Sequence, residues 1–110
     1  MLKLPQITFV VTSYNYEKYI LKTLESIKNQ SYKDFEIIVV DDCSSDNSCE
    51  VVEKFIAENQ DLKITLIRQE CNQGQLAAML RGLKEAQGEF VCFVDSDDYV
   101  TDNCLDELQK

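Results

Sequence analysis

Histidine is absent from this chain, proline occurs once and glycine three times. Without an imidazole, the five cysteines (Cys43, Cys49, Cys71, Cys92 and Cys104) lack the partner that Cys/His zinc sites and Cys–His nucleophile pairs need. Their number is odd and no CxxC occurs, which points to reduced, structural thiols in a cytosolic compartment. Scarce proline and glycine, beside 45% hydrophobic residues, exclude a disordered chain. Long apolar runs are also missing. Phe90-Val91-Cys92-Phe93-Val94 stops after five residues, against the ~20 that cross a membrane as a helix. Met1-Leu2-Lys3-Leu4-Pro5 has neither the apolar core nor the small-residue cleavage site of a signal peptide. Basic residues are few, 11 against 20 acidic ones, for a net charge of -9. Such a surface repels phosphate backbones, so no nucleic-acid partner is expected. An anionic ligand would need a metal ion or helix N-termini to offset the repulsion.

What is present alternates. Ile7 to Val11 reads as a first strand, apolar and β-branched. Ile20, Leu24 and Ile27 recur at helical spacing within Tyr19 to Asn29. Phe35 to Val40 is a second strand, whose near-continuous apolar run suits burial on both faces of a parallel sheet. A second helix carries Val51, Val52, Phe55 and Ile56 on one face, and Lys63 to Ile67 is a third strand. Gly74 to Ala86 reads as a third helix, with Leu76, Ala77, Leu80, Leu83 and Lys84 near one another and Gly88 as its C-terminal cap. Phe90 to Val94 is a fourth strand, and Asn103 onward, with Cys104, Leu105 and Leu108, begins another helix. Strand–helix alternation means α/β with right-handed crossovers, here a three-layer α/β/α fold on a mostly parallel sheet. Residues 1–110 read as a single domain, and the last segment as a helix cut before its partner, so the expectation is part of a larger domain truncated at its C-terminus.

In open α/β sheets, ligands sit beyond the carboxyl ends of the strands, where strand order reverses. Polar residues gather there: Thr12-Ser13-Tyr14-Asn15-Tyr16, Asp41-Asp42, Arg68-Gln69-Glu70 and Asp95-Ser96-Asp97-Asp98. No GxxxxGK[ST] occurs, and no glycine follows the first strand, so neither a Walker A loop nor a Rossmann fingerprint cradles phosphate. Carboxylates holding a divalent cation are the substitute, since Mg²⁺ and Mn²⁺ favour oxygen ligands shared with substrate phosphates. Asp95 and Asp97, two apart on an extended segment, point the same way and address one ligand. A solvated, helix-capping turn is the plainer alternative for these acids. Asp41-Asp42 has the same alternative, although Asp42 alone suits the N3–H of a uracil. Tyr14 offers a face for base stacking or for core packing. Arg68 either meets a phosphate or an acid, or lies solvated at the surface.

Taken together, these segments resemble family 2 glycosyltransferases of the GT-A fold. "ITFVVTSYNYEKYILKTLESIKNQSYKDFEIIVVDDCSSDNS" is similar to the family's opening, and "NQGQLAAMLRGLKEAQGEFVCFVDSDD" to its second block, which leads through a hydrophobic strand into DxDD. The likeness spans roughly residues 6 to 108. It implies a Rossmann-like GT-A half-domain with strand order 3-2-1-4, a nucleotide-diphosphate sugar donor, most often UDP-linked, and Mn²⁺ or Mg²⁺. It places Thr12, Tyr14 and Asn15 at the nucleotide, Asp42 at the uracil edge, Asp95 near ribose or metal, and Asp97 at metal and diphosphate, with Asp98 as a further metal ligand. One departure concerns the third helix: relatives carry Ala-Arg-Asn where this chain has Ala78-Met79-Leu80. Arg81 lies about 200° further round the helix and is no simple replacement.

For the intact protein the resemblance implies inverting, metal-dependent transfer to a hydroxyl of a glycan or lipid-linked acceptor. The metal acts as a Lewis acid on the leaving diphosphate, and a general base comes from beyond residue 110. Residues 1–110 are then expected to bind donor only. The alternatives are Mg-dependent phosphotransfer of the haloacid-dehalogenase kind, a receiver-like signalling module, and a non-catalytic fragment. The first two want their acids after the first strand, whereas DxD here follows the fourth. A cytoplasmic setting is expected, at the cytoplasmic face of a membrane in the full-length protein, with self-association of the fragment through an exposed edge.

Overall fold

The computed structural model describes residues 6–30, 34–71 and 73–95. They form β1 (Ile7–Ser13), α1 (Ile20–Lys28), β2 (Phe35–Asp41), α2 (Ser48–Glu58), β3 (Ile64–Arg68), α3 (Gln75–Glu85) and β4 (Phe90–Asp95). All neighbouring strands run parallel in the order β3-β2-β1-β4, the order expected above. The chain steps outward from β1 to β3, then returns to place β4 on the far side of β1. The reversal therefore falls between β1 and β4. The helix expected from Asn103 lies outside the described residues. No helix among those described is long and apolar enough to cross a membrane.

β1 and β2 are buried along their whole length because both faces are covered. Ile7, Phe9 and Val11 of β1 and Phe35, Ile37 and Val39 of β2 meet α1 and α2 through Ile20, Leu24, Ile27, Val52 and Phe55. The 4- and 3-residue steps from Ile20 to Ile27 put α1's large side chains on one stripe. Phe9 and Phe35 close this layer edge-to-face, centroids 5.6 Å apart.

The opposite face of the sheet is packed differently. Leu76, Leu80 and Leu83 of α3 are exposed (69%, 57% and 46%), while Ala78 and Gly82 are buried. A Cβ on Gly82 would stand 2.3 Å from Val10 Cγ1. The helix lies so close to β1 that only small residues fit beneath it, and the leucines turn outward. Gly88 has another role than the one expected. The helix cap is Ala86, in extended conformation. Gly88 instead passes directly over β1: a Cβ there would lie 2.7 Å from the Thr8 nitrogen and 2.8 Å from the Ile7 carbonyl carbon.

A buried polar group fixes that crossing. Thr8 Oγ1 donates to Glu36 Oε2 at 2.6 Å, the Gln87 amide donates to the same oxygen at 2.7 Å, and the Gly88 amide donates to Thr8 Oγ1 at 2.8 Å. Lys63 Nζ stands 3.7 Å from Glu36 Oε1. A carboxylate this deep needs such partners, because an unpaired buried charge is costly.

Candidate functional site

The carboxyl edge of the sheet is organised by two loops locked together. Asn15 follows β1 with φ 55°, a left-handed conformation that Asn tolerates better than most residues. Its amide donates to Ser44 Oγ at 2.9 Å, and its side-chain oxygen accepts from the Ser45 amide at 2.8 Å. The Glu17 amide donates to Asp46 Oδ2 at 3.1 Å, and the Asn47 amide donates to Glu17 Oε1 at 3.0 Å. Burial works to raise the Asp46 pKa, but the Ser48 hydroxyl, the Ser48 amide and the Glu17 amide donate to its carboxylate and hold it below the ordinary value. Asn15, expected at the nucleotide, thus has its carbonyl oxygen engaged in joining the β1–α1 loop to the β2–α2 loop.

The acidic pair after β2 divides between two loops. Asp41 takes its own: Ser44 donates through its amide to Oδ2 at 2.8 Å and through its hydroxyl to Oδ1 at 2.5 Å. Asp42 takes the β3–α3 loop. Its Oδ1 accepts from Gln69 Nε2 at 2.9 Å and the Gln73 amide at 2.8 Å, and its Oδ2 accepts from the Gly74 amide at 2.9 Å. The pair does not cap the second helix, whose N-cap is Asn47, and it is buried rather than solvated. Asp42 fastens the entrance to α3 and also borders a cavity.

That cavity, about 190 Å³, lies between β1 and α3 and is lined by Thr12, Ser13, Tyr14, Tyr16, Asp42, Gln75 and Ala78. It is smaller than the ~300–1,000 Å³ of sites that enclose whole drug-sized ligands. Tyr14 is 44% exposed, so its ring is available for stacking rather than spent in the core. Ser13 Oγ is buried without a hydrogen-bond partner among the described residues. Asp95 ends β4 in register with Thr12, so its backbone reaches the same edge at the strand reversal. Asp97 and Asp98 lie outside the described residues.

The structure thus brings Thr12, Tyr14 and Asp42 to one cavity, with Asp95 at the neighbouring strand end. Gln75 was not singled out from sequence; Tyr16 and Gln69 were named only within the polar segments at the strand ends, and Ala78 only in the departure on the third helix. The available signal was positional: Gly74 and Gln75 open a helix at the carboxyl edge, where ligands gather. Arg68 is ion-paired to Glu53 with both side chains more than half exposed, so it takes the surface role. Arg81 stands 3.8 Å from Glu85 on the outer face of α3. Cys49 is buried, and desolvation together with the nearby Asp41 carboxylate pushes its thiol up to about 11.

Known proteins resemble this chain in sequence and in fold. The family model described as Glycosyl transferase family 2 matches residues 8–110. The glycosyltransferase GlyG of Streptococcus pneumoniae is 40% identical over 104 residues, covering 94% of this chain and 34% of its own length. Among solved structures, TarS 1–349 of S. aureus in complex with UDP-GlcNAc superposes with a TM-score of 0.86 at 38% identity, over 94% of this chain and 30% of TarS 1–349. The mannosyltransferase PcManGT of Pyrobaculum calidifontis, in complex with GDP-Man and Mn²⁺, gives 0.81 at 32% identity, over 84% of this chain and 28% of its own. The chain spans 42% of the length of a glycosyltransferase of Haemophilus influenzae that is 37% identical to it, and 34% and 15% of GlyG and GlyA of Streptococcus pneumoniae. The family model's span, taken with the parallel 3-2-1-4 sheet, settles the affiliation: this chain belongs to glycosyl transferase family 2 and has the GT-A fold.

Proposed function

We propose that residues 1–110 form the donor-binding part of a glycosyltransferase that moves a sugar from a UDP-linked donor to an acceptor hydroxyl, with inversion and with a divalent cation. The observation that carries this reading is the cavity bounded by Thr12, Tyr14 and Asp42 beside the strand reversal. Tyr14 stacks on the base, and Asp42 accepts its imide N–H. Thr12 and Asn15 hold the nucleotide edge of the site, Asn15 chiefly through the loop it anchors.

The metal reading rests on the donor set. Asp95, Asp97 and Asp98 put three hard oxygen ligands within four residues, beginning where β4 ends next to Thr12. When bound there, Mn²⁺ or Mg²⁺ would neutralise the diphosphate and stabilise the negative charge left on it as the sugar departs. The chain itself contributes orientation, by fixing the base at one end and the diphosphate near β4 at the other. The acceptor hydroxyl is deprotonated by a carboxylate outside residues 1–110. UDP-GlcNAc in TarS, and GDP-Man with Mn²⁺ in PcManGT, support the ligand class.

Calorimetric titration with UDP, with and without Mn²⁺, tests the proposal. UDP should bind in the presence of Mn²⁺, and Asp42→Ala should weaken it about tenfold or more, the scale of one hydrogen bond to a charged group. Asp97→Ala should remove the Mn²⁺ dependence. UDP binding indifferent to Mn²⁺ and to both substitutions would overturn the reading.

A further inference from the structure

We infer that Gln69 sets the base selectivity of this site by filling an acceptor position on Asp42, so that the carboxylate can take one N–H from a base but not two. The inference rests on the nucleotide reading above and narrows it. Asp42 is 4% exposed and borders the cavity. A carboxylate offers about four acceptor positions, two on each oxygen. Oδ1 accepts from Gln69 Nε2 at 2.9 Å and from the Gln73 amide at 2.8 Å, so it is full. Oδ2 accepts from the Gly74 amide at 2.9 Å and, among the described residues, keeps one position open. Among these described donors two belong to the backbone, and Gln69 supplies the one side chain. It is held in place by its own amide, which donates to the Asp41 carbonyl at 2.9 Å.

The bases differ in what they bring to a single open position. Uracil carries one imide N–H between two carbonyls, and the match is complete. Guanine presents N1–H and its 2-amino group side by side, a pair suited to both oxygens of one carboxylate. With Oδ1 occupied, one of those donors enters the site unpaired, which costs affinity. Cytosine turns a ring-nitrogen lone pair toward the carboxylate, an acceptor against an acceptor. A buried hydrogen-bonding group with nothing to meet discriminates more strongly than a change of apolar volume. Gln69 is thus a positioning residue: it acts on the base through Asp42.

The test compares UDP, GDP and IDP by calorimetry in the presence of Mn²⁺, on the unmodified chain and on Gln69→Met. Hypoxanthine keeps N1–H and lacks the 2-amino group, so the IDP:GDP ratio isolates the second donor from the size of a purine. The unmodified chain should bind UDP, and should bind IDP about tenfold more tightly than GDP, as expected for one unpaired donor. Gln69→Met opens a position on Oδ1, and the IDP:GDP gap should close. Equal affinity for IDP and GDP in the unmodified chain overturns the inference while UDP binding leaves the nucleotide reading standing. So does a gap that persists in Gln69→Met, with Gln69→Leu as the second variant if methionine unfolds the loop. Absence of binding by all three nucleotides overturns the nucleotide reading and this inference together.

Discussion

On one face of the sheet, Phe9, Val11, Ile37 and Val39 meet Leu24, Ile27, Val52 and Phe55, large side chains against large. On the other, Val10, Ile38 and Val40 meet Ala78, with Gly82 pressed against Val10. Both faces belong to the same two central strands, but only the first is packed by the apolar stripe of its helices. The second is packed by proximity. The difference has a functional side. A helix held close to β1 brings Gln75 and Ala78 to the cavity and its entrance loop within reach of Asp42. A helix propped away on leucines would carry that loop outward with it.

The comparison can be broken most sharply by treating the same residue type on both faces. Leu24→Ala empties a fully buried position and should cost about 2–5 kcal/mol of unfolding free energy. Leu80→Ala removes the same atoms from the exposed side of α3 and should stay within about 0.5 kcal/mol. Urea unfolding measures both, and equal losses would mean that α3 buries its leucines after all. A smaller loss should follow from Gly82→Ala. Its new methyl meets Val10, and overpacking of this kind costs about 1–3 kcal/mol. A stabilised Gly82→Ala variant would show that the close approach is not made.

The smallest effect concerns a buried thiol in α2. Burial, then the Asp41 carboxylate, raises Cys49 from its ordinary value of 9.0 to about 11. The folded state holds this thiol protonated more tightly than the unfolded chain does. Its contribution to stability is therefore complete below pH 9.0 and lost as pH rises toward about 11. Iodoacetamide at pH 8 should modify the exposed Cys43 and Cys71 in the native protein and leave Cys49 intact until it unfolds. Labelling of Cys49 at the rate of Cys43 would contradict its burial.

Much of the fold was legible because periodicity and burial agree when large residues pack together. The Ile20, Leu24, Ile27 stripe and the unbroken Phe35-to-Val40 run each announced their element, and all four strands lie where the alternation placed them. The facing of helix α3 was not read from the sequence, for a definite reason. A hydrophobic stripe names the side that could be buried, whereas close approach selects small residues, which carry little hydrophobic signal. Gly88 was misassigned, since a glycine beyond a helix serves as a cap or as a crossing point and sequence spacing does not distinguish them. At the site, Thr12, Tyr14 and Asp42 were found by the rule that ligands gather at strand ends. Gln69 was placed at its strand end but given no role of its own, because its hydrogen bond runs to a residue 27 positions earlier.

By itself, then, the sequence determined the α/β alternation, the parallel sheet and the acidic ends of its strands. These follow from local periodicity and from the chemistry of side chains, which act over a few residues. Tertiary structure alone decided which face α3 turns inward, that Asn15 fastens one loop to another, and that three donors among the described residues share the carboxylate of Asp42. Each of those depends on the distance between segments remote in the chain, and that distance is set by how closely whole layers pack.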